Sequence, residues 1–192
     1  MPRQKQYSEE AVLNKAVDVF WRRGYKSASI RELEKEMGIN QFSIYASFGS
    51  KKKLFLKALD RYSAQVKEIF LTDLIRSEGN ISDIKKFMRS FVDSVQTGKT
   101  PNGCLMANTA MDMGSSEKEV KIRLNYFFDL LNNVFTEVLE KARIRNQITK
   151  NAPIEKYANF LVGCTEGLAV TAKVLDDDQL NDFIEITIAT LK

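Results

Sequence analysis

Apolar residues recur every three or four positions along almost the whole chain, and polar residues fill the positions between them. This spacing is typical of α-helices with one buried face, whereas a half-buried strand alternates at every second position. No run of strict alternation bounded by turn residues occurs in the sequence. The pattern therefore predicts an all-α protein of about nine helices.

Cap and turn residues divide the start of this pattern into three helices. Ser8 is placed to cap the first helix, and Gly24 is placed to end it in the left-handed conformation. Ser29 caps a short second helix, and Asn40 caps a third over residues 41–48. Two short helices joined by a tight turn after a first helix have the spacing of a helix-turn-helix.

Further caps and stops are predicted later in the chain. Gly114 is expected to end the sixth helix, and Ser116 with Glu119 forms a predicted capping box for the seventh. Pro153 suits the first turn of the eighth helix, and residues 176–178, all aspartates, suit the start of the ninth.

The third helix carries an outer face that a solvated helix would not have. Ile44 and Phe48 lie four residues apart and are predicted to face the core, which leaves Phe42 and Ser43 on the opposite side. Lys or Glu would ordinarily occupy such a face. A helix in the DNA major groove instead needs small residues, hydroxyl groups for base edges and an apolar group for a thymine methyl. We therefore expect Gln41 and Ser43 to read base edges and Phe42 to touch a methyl group.

Positive charge is concentrated in the first third of the chain. The first 60 residues hold 12 Lys and Arg against 7 Asp and Glu, whereas the remaining residues hold 17 against 18. An anionic partner is expected for the basic part, and nucleic acid is favoured over a membrane because no basic stripe is backed by Trp or Phe. The same charge would also suit an ordinary solvent-exposed surface without an anionic partner, so charge alone leaves that alternative open.

Composition narrows the chemistry further. A chain of 192 residues with 44% apolar and 28% charged residues is globular, and it contains no histidine, the commonest general base and zinc ligand. Cys104 and Cys164 each stand alone without a basic neighbour, which favours buried, inert thiols over redox sensors. We expect a soluble cytoplasmic protein without a membrane span, a metal or a cofactor.

Three lysines at residues 51–53 occupy the first turn of a long fourth helix that runs to about Ser77. The helix dipole disfavours cations there by roughly 0.3–1 kcal/mol each. The arrangement is explained if backbone amides and ammonium groups together hold a DNA phosphate. The hydroxyl groups of Tyr45 and of Ser27 or Ser29 can donate to further phosphates.

A family resemblance is carried by Gly24-Tyr25, Ser29-Ile30-Arg31-Glu32-Leu33, Met37-Gly38-Ile39, the run from Ser43 to Lys51, and Leu54-Phe55. This composite resembles the DNA-binding domain of the TetR/AcrR family of transcriptional regulators. The resemblance implies that the third helix enters the major groove, with base-facing roles for Gln41, Phe42, Ser43 and Ser47 and phosphate-binding roles for Tyr45 and Lys51. The full set of DNA-binding candidates is Ser27, Ser29, Arg31, Gln41, Phe42, Ser43, Tyr45, Ser47 and Lys51. Many members carry glycine where Phe42 stands, so base preferences of other members do not transfer to this chain.

The resemblance also implies two domains and a dimer. Residues 1–50 would form the helix-turn-helix domain, with the family signature extending to about residue 60, and residues 51–192 would form a helical effector-binding and dimerisation domain. Two glycines inside the eighth helix cost roughly 1 kcal/mol each, which a close contact with a partner subunit can offset. The dimer candidates are Gly163, Gly167, Leu168, Leu180, Phe183, Ile184 and Ile188. Alternatively, the glycines admit a bulky neighbour within one subunit.

The fifth to seventh helices surround the effector in that family. Their aromatic, Met and Leu residues are therefore candidates for a largely apolar small-molecule pocket, although side chains at this spacing are often plain core. These candidates are Phe87, Phe91, Met106, Met111, Phe127, Phe128, Leu131 and Phe135.

The sequence thus predicts a DNA-binding transcriptional regulator, a ligand-responsive repressor that binds a palindromic operator as a homodimer. An activator, or a DNA-binding protein controlled by a protein partner, is the alternative within the same class. An all-α enzyme using Asp112, Glu137, Glu166 or a cysteine is disfavoured, because the chain lacks histidine and any glycine-rich phosphate loop.

Overall fold

The computed structural model describes residues 7–113 and 116–191, which form nine helices and no β-strand. The helices are α1 (Glu9–Ser27), α2 (Ile30–Met37), α3 (Gln41–Phe48), α4 (Lys51–Val66, continuing through Lys67–Leu71 and Thr72–Ile75), α5 (Ile81–Gln96), α6 (Leu105–Met113), α7 (Lys118–Ile144), α8 (Ile154–Thr171) and α9 (Asp177–Ala189). The predicted all-α fold is confirmed. The stop predicted at Gly114 lies outside the described residues.

Local side-chain chemistry begins the amino-terminal helices as predicted. The Ser8 hydroxyl accepts a hydrogen bond from Ala11 N, and the Ser29 hydroxyl accepts one from Glu32 N. Each bond satisfies a backbone amide that the first helical turn leaves free. Gly24 has a positive φ of 70°, as predicted, but its ψ of 169° lies outside the left-handed helical region. It interrupts the helix without ending it, because helical turns resume beyond it and end at Ser27.

The capping box predicted at the start of α7 is wrong. The helix begins at Lys118, and the Ser116 hydroxyl donates to the Met113 carbonyl instead of accepting from the helix. The Glu119 carboxylate binds Lys52. A tertiary ion pair has therefore replaced the local bond that the spacing favoured.

Contacts divide the chain into two compact units. The first contains the described residues up to Gln65 together with Asn108–Leu124, and the second contains Val66–Ala107 and the described residues from Asn125 onward. These units are defined by contacts, whereas the division at residues 50 and 51 concerns function and stays a prediction.

Aromatic packing builds the core of each unit. In the first, the Phe55 ring lies 4.9 Å from that of Phe20 and 5.0 Å from that of Tyr25. In the second, the rings of Phe87 and Phe135 lie 5.7 Å apart. None of the described helices is long and apolar enough to cross a bilayer.

Candidate functional site

The third helix is anchored on one face and capped at its start. Ile44 is fully buried and Phe48 is 3% exposed, so these two side chains fix the inner face as predicted. Asn40 accepts a hydrogen bond from Ser43 N at 2.8 Å, and the Glu34 carboxylate accepts one from Gln41 N. Because both ends of the α2–α3 turn are fixed, the outer face of α3 is presented on a rigid element.

The outer face of α3 is open to solvent. Phe42 is 82% exposed and Tyr45 is 37% exposed, while Gln41 is exposed and Ser43 is half-buried. This face carries no charged residue. It therefore offers an amide, hydroxyl groups and an aromatic ring to a partner, which are the groups that can contact base edges in a major groove.

Ser47 has a partner that sequence reasoning missed. Its hydroxyl forms a 2.9 Å hydrogen bond with the hydroxyl group of Tyr7, which precedes α1. No local pattern could reveal this pair, because the two residues are 40 positions apart. Tyr7 therefore belongs with the candidate site as a residue that orients Ser47.

Lys51 and Lys53 remain available to an anion. The Lys51 ammonium lies 4.8 Å above the Tyr25 ring centre and 3.5 Å from the Lys26 carbonyl oxygen. Partial burial lowers the pKa of Lys51. Lys53 is exposed and forms no ion pair with another described residue. Both cations lie at the amino terminus of α4, where backbone amides favour a phosphate.

Lys52 serves the fold, which corrects the view that all three lysines hold phosphate. Its ammonium lies 2.8 Å from a carboxylate oxygen of Glu117 and 3.0 Å from one of Glu119. Arg123 binds Asp60 at 3.0 Å in the same way. The start of α7 is thus joined to α4 inside the first unit, and the Lys52 ammonium is already paired with two carboxylates.

The remaining DNA-binding candidates lie around α2. Ser27 and Arg31 are exposed, and Arg31 forms no ion pair within the described part of the chain. The Ser29 oxygen already accepts from Glu32 N at 3.1 Å, but its O–H group remains able to donate to a phosphate.

Most of the predicted effector-pocket residues are packed in the second unit. Phe87, Phe91, Met106, Phe127, Leu131 and Phe135 are buried, and Phe128 is half-buried. Met111 differs, because it is 72% exposed and belongs to the first unit. The structure therefore groups seven of the eight residues in one unit and leaves Met111 apart from them.

An open groove that no sequence pattern indicates lies along α4 and α5. Its volume is about 660 Å³, and its walls include Ile69 and Phe70 from α4 and Arg89 from α5. An adjoining cavity of about 490 Å³ shares Phe70 and reaches Phe87. Ile69 and Phe70 lie in a π-helical turn of α4, a distortion that often accompanies functional sites.

The dimer candidates divide into buried and exposed residues. Leu168, Leu180, Ile184 and Ile188 are buried within the subunit, whereas Phe183 is exposed. We give the name α8–α9 face to a set of small and apolar residues on these two helices and on the turn between them: Phe160, Gly163, Gly167, Val170, Val174, Phe183 and Ile186. All of them are exposed except Gly167, which is half-buried.

Helical spacing links three residues of this face that the sequence analysis did not include to the two glycines that it did. Phe160, Val170 and Val174 share the three- and four-residue spacing of Gly163 and Gly167. Extending the stripe that contains the two glycines by three- and four-residue steps identifies these apolar residues as well. A Cβ on Gly163 would meet no atom within 4 Å, so the surface there is open.

The described residues contain no group of three His, Cys, Asp or Glu side chains that could hold a metal ion.

Two comparisons with protein families cover most of the chain. Residues 12–58 match the model of bacterial regulatory proteins of the tetR family, and residues 81–185 match the tetracyclin repressor-like C-terminal domain.

Individual relatives extend these matches over the full length. The chain is 24% identical over 194 residues to YezE of Bacillus subtilis (strain 168), an uncharacterized HTH-type transcriptional regulator, with all of both chains covered. It is 24% identical over 191 residues to the HTH-type transcriptional repressor ComR of Escherichia coli (strain K12), covering 99% of this chain and 90% of ComR.

A solved structure of a TetR family regulator also matches nearly the full length of this chain. A cysteine-substituted form of the TetR family transcriptional regulator CifR, in complex with 26-base-pair double-strand operator DNA, matches with a TM-score of 0.88 and 26% identity. The match covers 99% of this chain and 100% of the CifR chain.

Proposed function

Because the chain belongs to the TetR family of bacterial regulatory proteins, we propose that it is an effector-responsive repressor that binds a palindromic operator as a homodimer. It is a DNA-binding transcriptional regulator and not an enzyme. The repressor role is supported by ComR, which is named a repressor, and the operator role by CifR, which was solved with operator DNA.

One observation carries the DNA-binding proposal. The inner face of α3 is buried and anchored, whereas its outer face is uncharged and open to solvent. Gln41, Phe42, Ser43 and Ser47 contact base edges in this proposal. Backbone phosphates are held by the hydroxyl and cationic groups around α3, namely Ser27, Ser29, Arg31, Tyr45 and Lys51. Phosphate contacts fix the position of the protein, and base contacts give it sequence specificity.

The α8–α9 face supports the homodimer. A two-fold axis places the same surface of both subunits in contact. An exposed apolar stripe with glycines at its centre can therefore pack against its own copy. Phe160, Val174 and Ile186 would be covered by the partner. Two recognition helices about 34–36 Å apart then meet successive turns of one DNA face.

The effector is expected in the second unit. Phe70 lines the groove, and Phe87 lines the adjoining cavity. The ring of Phe70 lies 5.7 Å from that of Phe91, and the ring of Phe87 lies 5.7 Å from that of Phe135, so both volumes border the predicted apolar pocket. An effector that binds better to the subunit arrangement with wrongly spaced α3 helices releases DNA by shifting the population. A shift from 1:99 to 99:1 needs about 5.5 kcal/mol of differential affinity. We place this activity in the cytoplasm, where bacterial DNA lies.

Selection of random DNA fragments by the purified protein tests the proposal. Enrichment of a palindrome with half-sites about one helical turn apart, or a little more, is the expected result. The matched variants are Ser43→Ala on α3 and Ser82→Ala, which replaces an exposed serine of α5 in the second unit. Only Ser43→Ala should change the enriched sequence. No enrichment, or enrichment of a sequence without two-fold symmetry, would contradict the proposal.

A further inference from the structure

The segment that precedes α1 reaches the recognition helix through one hydrogen bond. The hydroxyl oxygens of Tyr7 and Ser47 lie 2.9 Å apart, and both side chains are half-buried. Within the described part of the chain, this is the only hydrogen bond that either hydroxyl group makes. Ser47 lies in the last turn of α3, so a residue outside the helix-turn-helix contacts the helix that faces DNA in the proposed function.

Neighbouring contacts fix the position of Tyr7. The next residue, Ser8, caps α1 with its hydroxyl oxygen. The Glu9 carboxylate pairs with the Lys57 ammonium at 3.1 Å, and that ammonium also lies 5.3 Å from the ring centre of Phe48. Lys57 therefore links the start of α1 to the carboxyl-terminal end of α3, where Tyr7 makes its own contact.

The chemistry of the two hydroxyl groups decides which one donates. A phenolic O–H is a stronger donor than an aliphatic O–H, because the ring withdraws electron density from its oxygen and makes that oxygen the weaker acceptor. Tyr7 therefore donates and Ser47 accepts. A hydroxyl group that accepts a hydrogen bond is polarised and becomes a better donor through its own proton. The Ser47 O–H is thus left to donate to a partner other than Tyr7.

Ser43 provides a contrast on the same helix. It lies one turn before Ser47, and its side chain is also half-buried. Its backbone amide donates to Asn40, but its hydroxyl group forms no hydrogen bond with another described residue. The Ser43 hydroxyl can therefore donate or accept with equal ease, whereas the Ser47 hydroxyl is biased towards donating.

This bias matters in a major groove, because each base edge presents its own donors and acceptors. Guanine offers N7 and O6 as acceptors and thymine offers O4, whereas cytosine offers only the amino group on C4 as a donor. We propose that Tyr7 is a positioning residue for DNA recognition, whose phenol directs the Ser47 O–H towards a hydrogen-bond acceptor on the DNA. The inference rests on the base-facing role proposed for Ser47, which places that acceptor on a base edge. A phosphate oxygen has the same chemistry, so the experiment must separate the two sources.

Selection of random DNA by the wild type and by Tyr7→Phe tests the inference. The substitution removes only the hydroxyl group. It should reduce the preference at one base pair of each half-site about 2- to 10-fold, the effect of one neutral hydrogen bond, and leave the other positions unchanged. Ser47→Ala should reduce the preference at the same base pair. Tyr126→Phe removes the hydroxyl group of a tyrosine on α7 that is 68% exposed, and this matched control should leave the profile unchanged.

A double-mutant cycle on the selected operator separates positioning from stability. If Tyr7 acts through Ser47, the double variant should bind no more weakly than Ser47→Ala alone. In a Ser43→Ala background, by contrast, Tyr7→Phe should keep its full effect. Additive losses from Tyr7→Phe and Ser47→Ala would overturn the inference. So would equal losses on operator and random DNA together with a lowered melting temperature, because Tyr7 would then only stabilise the fold.

Atomic substitutions in the operator identify the acceptor. Base analogues that lack the purine N7, the guanine O6 or the thymine O4 remove one base acceptor each, and methylphosphonate linkages remove a phosphate oxygen. At one position the substitution should weaken the wild type at least about 2-fold and leave Ser47→Ala unaffected. That pattern with a base analogue supports both Tyr7 and the base-facing role of Ser47. The same pattern with a methylphosphonate supports Tyr7 and moves Ser47 to the phosphate contacts. If no substitution gives the pattern, Ser47 donates to no acceptor on DNA and the inference is wrong.

The outcomes for the proposed function are distinct from these. If the wild type enriches no DNA, the proposed function fails and the role of Tyr7 fails with it. An operator without two-fold symmetry would contradict the homodimer and leave the Tyr7 comparison intact. If the wild type enriches a palindrome and Tyr7→Phe enriches it with the same profile and affinity, only the role of Tyr7 is overturned.

Discussion

Truncating Ile186 should weaken the proposed dimer by an amount that its exposure predicts. Burying a whole Ile side chain contributes about 1.5–3 kcal/mol, so covering the 69% that is exposed here contributes roughly 1–2 kcal/mol. A two-fold axis repeats the contact, which doubles the effect to roughly 2–4 kcal/mol. Ile186→Ala should therefore raise the dimer Kd about 30- to 1,000-fold.

Sedimentation velocity over a dilution series measures that Kd directly. Ile144→Ala is the matched control, because Ile144 is 78% exposed at the end of α7 and lies outside the α8–α9 face. Neither substitution removes buried contacts, so the melting temperature of the subunit should hardly change. Equal Kd values for Ile186→Ala and the wild type, or equal weakening by Ile144→Ala, would refute the assignment of this face.

Three further outcomes are expected. Lys51→Ala should weaken operator and random DNA alike and reduce the slope of log K against log salt by about one unit; an unchanged slope would mean that Lys51 contacts no phosphate. Ser43→Ala should reduce discrimination between operator and random DNA more than it reduces binding to random DNA, and equal losses on both would contradict a base contact. The pKa of Glu166 is about 7 in the fold against an ordinary 4.5, so the folded protein holds a proton that the unfolded chain releases. The free energy of unfolding should fall by up to about 3 kcal/mol between pH 4.5 and 7 and then level off, and Glu166→Gln should abolish that fall in denaturant titrations.

Features that depend on neighbours within one helical turn could be predicted from the sequence. Ser8, Ser29 and Asn40 cap their helices because each side chain reaches an amide only a few residues away. The inner face of α3 could also be predicted, since Ile44 and Phe48 share the helical period. In these cases the local and tertiary preferences agree, so no distant residue was needed to decide the outcome.

Features set by residues far apart could not be predicted in this way. Lys52 looked like a third phosphate ligand until Glu117 and Glu119 proved to hold it, and the Tyr7–Ser47 bond joins residues 40 positions apart. The burial of Leu168 and its neighbours depends on which side of α8 the rest of the subunit covers. Helical period alone gives two apolar sides for α8, and it does not say which one faces out.

Cys104 shows most clearly how the fold changes the chemistry of a residue. Its sequence neighbours carry no charge, which favoured an inert thiol. The fold adds a carboxyl group from α8, a helix-terminal amide and a cation near Gly103, and each of these comes from tertiary or backbone geometry. Cys164 is also buried and has equally plain neighbours in sequence, yet its described partner is a threonine hydroxyl. Two cysteines that the sequence cannot tell apart therefore differ in whether a carboxyl group lies beside them, and only the tertiary structure creates that difference.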